Sequence, residues 1–130
     1  NDLIKAKELY LTDLNKHYYK EPKEDLISIA EGIKGDKGNV HISIGSKMNF
    51  DSNSYESCSN QISLMIKDLY KLHSTNYAAA IIQGKKNIEN SHKPEKIDIA
   101  IQFLKDRVKL IPEDMHPYFL NQYSNPINSK

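Results

Sequence analysis

The stretch Gly35 to Gly45, GDKGNVHISIG, constrains this chain more than any other segment. Val40, Ile42 and Ile44 alternate with His41, Ser43 and Gly45, the period of two that sets one apolar row on one face of a sheet. The spacing predicts one short β-strand over residues 39–45, entered by a turn and left at a glycine. Its backbone donors and acceptors need partners on both sides, and no second strand pattern occurs in the 130 residues. Either the strand pairs with another copy of itself, or the rest of its sheet lies outside this sequence.

The remainder reads as helix, about five in all. Leu3, Ala6, Tyr10, Leu14 and Tyr18 form a first stripe reaching about Tyr19, with Asp2 as its N-cap. Pro22 suits the first position of a second helix with Leu26, Ile29, Ala30 and Ile33 on its apolar face, stopping near Gly35. The caps offered by Asp51 to Ser54 precede the clearest helical pattern: Tyr55, Cys58, Ile62, Met65, Ile66, Leu69 and Leu72. His73 to Asn76 breaks it, and the apolar block Tyr77 to Ile82 makes a brief helix ending at Gly84. Ile97, Ile101, Leu104, Val108 and Ile111 form a further stripe closed by Pro112. Asp114 or His116 starts a last short helix through Tyr123, and residues 124–130 read as a frayed tail.

A chain of this length, 38% hydrophobic, holds one domain with a modest core. Its 18 basic and 17 acidic residues nearly cancel, and only one of the basic residues, Arg107, is an arginine. Nucleic-acid recognition leans on arginine forks and a clear basic excess, so that class is set aside. The single cysteine, Cys58, forms no internal disulfide and by its spacing reads as a small buried apolar residue. No apolar run approaches the roughly 20 residues of a membrane-spanning helix. The sequence opens Asn-Asp without a methionine and enters helix almost at once, which reads as a chain cut from something longer.

No catalytic set stands out. His41 lies on the polar side of the strand pattern, His17 and His73 fall near expected helix C-termini, and His92 and His116 sit beside proline boundaries. Metal-ligand spacings such as HxxxH or CxxC are absent, as are the GxxxxGK[ST] and GxGxxG phosphate loops, so no catalytic residue, metal or cofactor is assigned. Lys34, Lys37 and Lys47 flank the strand pattern and are the candidates for contact with an anionic headgroup or surface.

Several segments, in order, resemble the C-terminal part of bacterial glycerolipid acyltransferases of the lysophospholipid acyltransferase superfamily. LIKAKELY, at residues 3–10, is similar to the family segment that follows a strand ending in a Tyr-Glu-Tyr-Asp-Pro type sequence. EDLISIAEGIKGDKGNVHISIG resembles the family's helix, turn and late sheet strand, matching at Lys37, Gly38, Val40, His41, Ile42 and Gly45. The region of Asn76, Tyr77 and Ala79 resembles a later patch, and Phe119, Tyr123, Asn125 and Pro126 resemble a tail of the form FL...YxNP.

The resemblance implies an α/β parent enzyme moving an acyl group from acyl-CoA or acyl carrier protein onto glycerol phosphate or a lysophospholipid. In that superfamily an HxxxxD motif activates the acceptor hydroxyl, the histidine acting as general base. A Pro-Glu-Gly type segment binds the acceptor phosphate. Neither is present: the fifth residue after each histidine is Pro22, Ser46, Ala78, Ile97 or Asn121. The expectation is therefore a C-terminal, non-catalytic portion of a cytoplasm-facing enzyme, peripheral on the inner face of the plasma membrane. Donor and acceptor would engage the parent's upstream part. The alternative is a small helical interaction module that dimerises through its strand.

Overall fold

Residues 77–82 are apolar on every side, a pattern that only a helix enclosed by its neighbours satisfies. In the computed structural model, which describes residues 2–35, 38–49, 54–85 and 96–128, this block lies within a central helix. Six α-helices are present among the described residues: α1 (Asp2–Asn15), α2 (Glu24–Lys34), α3 (Tyr55–Leu69), α4 (Ser74–Ile82), α5 (Ile97–Val108) and α6 (His116–Asn128). A 3₁₀ turn, Glu113–Met115, leads into α6.

The bundle forms around α4, which packs against α5 and α6, while α1 packs on α6 and the 3₁₀ turn. Three consecutive alanines of α4, Ala78, Ala79 and Ala80, are fully enclosed. Their small side chains let α5 and α6 approach closely from different sides. Leu104 of α5 and Phe119 of α6 are the large side chains that fill the space, with Ala6 of α1 sealing it. Ile97, Ile101, Val108 and Ile111 pack around them, so the stripe read along α5 is its buried face.

Helix α4 starts earlier than the apolar block because Asn76 reaches back: its Oδ1 accepts from the His73 N–H at 2.6 Å. His73 is thus the N-cap of α4, not a C-terminal residue of the preceding helix. The buried Asn76 also donates through Nδ2 to the carbonyl of Tyr123 at 2.7 Å, joining α4 to α6. Helix α6 runs past the Tyr123 boundary to Asn128, taking Pro126 into its last turns, and encloses Ser124 completely. The first helix ends at Asn15, leaving Tyr18 and Tyr19 in the connection to α2.

Two expectations are corrected here. First, residues 39–45 form no strand, and no β-strand occurs among the described residues, so the α/β class is not what these residues adopt: they are helical with irregular connections. A strand is defined by its ladder, and this stretch meets no backbone partner among the described residues. Second, the apolar faces of α2 and α3 are not core. Neither helix buries a residue, and neither shares with the bundle a contact comparable to those within it. Leu26, Ile29 and Ile33 of α2 are exposed, as are Ile62 and Ile66 of α3, and Cys58 is only half-buried. Of the expected caps of α3, Ser54 serves, accepting from Ser57 N–H at 3.4 Å; Asp51 to Asn53 lie outside the described residues.

Candidate functional site

The segment from α2 through α3 gathers most of what the bundle leaves uncovered. Ser43 and Gly45 contact α3: the Ser43 hydroxyl donates to the carbonyl of Leu69 at 3.1 Å, and Gly45 sits so close that a Cβ there would collide with Met65 Sδ and lie 3.1 Å from Leu69 Cδ1. The alternate residues meet nothing comparable. Val40, Ile42 and Ile44 are 70%, 80% and 91% exposed, an apolar row without cover among the described residues. Burying three such side chains would contribute roughly 1.5–3 kcal/mol each, so leaving them in water is a substantial unfilled demand.

Of the sequence-predicted contact lysines, Lys34 closes the last turn of α2, where a cation complements the helix dipole. It is exposed, as is Lys47 on the irregular stretch before α3, and neither forms a salt bridge among the described residues. Lys37 lies outside the described residues. Neither Lys34 nor Lys47 is on the lining of the clefts found among the described residues.

The remaining polar pairs resolve into structural roles. Ser43 Oγ lies 2.9 Å from His41 Nε2 and also donates to the Leu69 carbonyl at 3.1 Å, so the hydroxyl ties residues 41–43 to the end of α3. Likewise the Lys85 ammonium donates to Ser124 Oγ at 2.8 Å while Ser124 donates to Gln83 Oε1 at 2.7 Å, and Gln83 Nε2 donates to Asn121 Oδ1 at 2.9 Å. The enclosed serine hydroxyl is held by a charged donor and pins α4 to α6. Among the described residues no group of three histidine, cysteine or acidic side chains is placed to hold a metal ion.

One cluster escaped the sequence reading. Asp2 lies at the start of α1, and its carboxylate meets α5 and α6: Arg107 donates to both oxygens, through Nε to Oδ2 at 2.9 Å and through a terminal nitrogen to Oδ1. The Tyr123 hydroxyl donates to Oδ2 at 2.5 Å, and the Leu3 N–H to Oδ1 at 3.0 Å. Burial works to raise the Asp2 carboxyl, but the hydrogen bonds from Arg107 and Tyr123 and the guanidinium charge outweigh it and hold the group below the usual carboxylate range. Burial, then the bond to Asp2, pushes the Tyr123 phenol well up. A cleft of about 810 Å³ beside this cluster has His73, Arg107 and Tyr123 on its lining with Glu31, Gly32 and Gly35 from the end of α2. The Arg107 fork is already engaged by Asp2, so the cluster works as a fastener between helices.

At the entrance to α2 the Tyr18 hydroxyl donates to both Glu24 oxygens, at 2.7 and 2.8 Å, which pushes its pKa up to about 12. Lys20 pairs with Asp25 at 2.7 Å. These contacts, the Tyr18–Glu24 pair half-buried and the Lys20–Asp25 pair exposed, hold the α1–α2 corner locally and leave the apolar face of α2 open. No helix among the described residues is long and apolar enough to cross a membrane. Compared with protein-family models, curated proteins and solved structures, the chain finds no match in any of the three.

Proposed function

We propose that this chain is the C-terminal, non-catalytic portion of a glycerolipid acyltransferase, an α/β enzyme that passes an acyl group from acyl-CoA or acyl carrier protein to glycerol phosphate or a lysophospholipid. The observation that carries the reading is the unpartnered row Val40, Ile42 and Ile44, in a segment with a strand's alternation and no ladder. On this reading the parent's sheet supplies the hydrogen bonds and the cover, with α2 and α3 flanking the completed strand. The ordered resemblance, from LIKAKELY through Lys37-Gly38 and Val40-His41 to Tyr123, Asn125 and Pro126, supports the same assignment. The general base and the phosphate-binding segment belong upstream, because no HxxxxD occurs here.

The decisive test is to sequence the gene upstream of Asn1 and compare it with the intact mass of the native protein. An HxxxxD motif and a Pro-Glu-Gly type segment in the same frame are expected. A start codon adjoining Asn1 would overturn the proposal. The isolated chain should also show no acyl transfer from a thioester to glycerol phosphate or a lysophospholipid, and turnover above background would count against it.

Lys34, Lys37 and Lys47 are the residues proposed to meet an anionic surface, as suits an enzyme peripheral to the inner face of the plasma membrane. Each lysine near such a surface contributes on the order of 1 kcal/mol. Weak adsorption to anionic vesicles that fades with added salt is expected, and equal binding to neutral vesicles would remove the lysine assignment.

The uncharged sequence of residues 39–45 favours one second reading, a helical module whose strands pair across a two-fold axis, since two copies meet there without repulsion. Sedimentation velocity over a range of concentrations separates the two. For the acyltransferase portion, the parent chain and Ile42→Pro should sediment alike. A dimer that Ile42→Pro dissolves selects the module, because proline removes a ladder donor.

A further inference from the structure

We draw no further inference here: the strongest candidate, the apolar surface formed by the 40–44 row with the exposed faces of α2 and α3, belongs to the site already described, and nothing in the structure shows what else covers it.

Discussion

Replacing Phe119 with alanine is expected to cost about 3–5 kcal/mol and to remove the cooperative unfolding transition of the bundle. The reason lies in how few large side chains the core contains. Eight hydrophobic residues are buried among those described, and five of them are alanines. Leu104, Phe119 and Leu120 supply the remaining volume, and the Phe119 ring is completely enclosed between α4, α5 and α6 and tilts against Tyr123 at 5.3 Å. Neighbouring alanines have no rotamers with which to fill the void, so the site collapses poorly and the cost falls toward the upper part of that range. Small domains are stable by only about 5–15 kcal/mol, which leaves the variant little margin.

Thermal and urea unfolding followed by circular dichroism read this directly. Phe119→Leu, which keeps most of the volume, should cost about 1.5 kcal/mol or less. Ile99→Ala, at a residue 66% exposed on α5, should stay within about 0.5 kcal/mol of the parent. If Phe119→Ala unfolds like Ile99→Ala, the α4–α6 bundle is not the cooperative unit of the chain.

The contrast between Phe119 and Ile42 shows where the sequence speaks and where it falls silent. Periodicity reports which side chains share a face. The stripe from Ile97 to Ile111 and the apolar block from Tyr77 to Ile82 were legible because their partners lie within the chain. The same signal in Leu26, Ile29 and Ile33 is equally clear, yet that face is open, since an amphipathic pattern states a need for cover without stating that cover is present. Residues 39–45 carry the difficulty further, because a strand's identity resides in its neighbour.

The buried side of α6 was under-read for another reason. Pro126 and the polar residues around it suggested a frayed end, and only the enclosure of Ser124 and its bonds to Lys85 and Gln83 reveal the packing. Lys34 and Lys47 were recognisable as exposed, but nothing local could say whether they converge. The Asp2–Arg107 contact joins residues 105 positions apart, beyond any pattern of spacing. The sequence held one hint of it: a single arginine in a chain whose other basic residues are all lysine, at a place where a planar two-pronged donor is required.

That fastener makes the second large effect. Replacing Arg107 with methionine keeps much of the aliphatic stem and removes the charged two-pronged donor, so the half-enclosed Asp2 carboxylate keeps the Tyr123 hydroxyl and the Leu3 N–H but loses its guanidinium partner. A loss of about 1.5–3 kcal/mol is expected, the usual worth of hydrogen bonds to a charged group. Asp2→Asn should cost a comparable amount by stranding the guanidinium. The two effects should not add, because each breaks the same pair: the double variant is expected to lie close to the worse single one.

The pH dependence gives a sharper readout. The Asp2 carboxyl is held down in the folded chain, so its contribution is present above its unfolded value, about 3.9, and is lost as pH falls through the lower folded value. Tyr123 is displaced the other way: its contribution is present below the unfolded value, about 10, and declines as pH rises beyond it toward the folded one. Other groups titrate in both windows, so the quantity to measure is the difference in unfolding free energy between parent and variant. For Asp2→Asn that difference should shrink below about pH 4, where the parent loses what the variant already lacks. For Tyr123→Phe it should hold through neutrality and shrink above about pH 10. A difference flat with pH in the acid window would mean that Asp2 carries no pairing to lose, and α1 would then be held to the bundle by its remaining contacts: Ala6 in the core, Tyr118 donating to Asp13, and Gln122 donating to the Asp2 carbonyl.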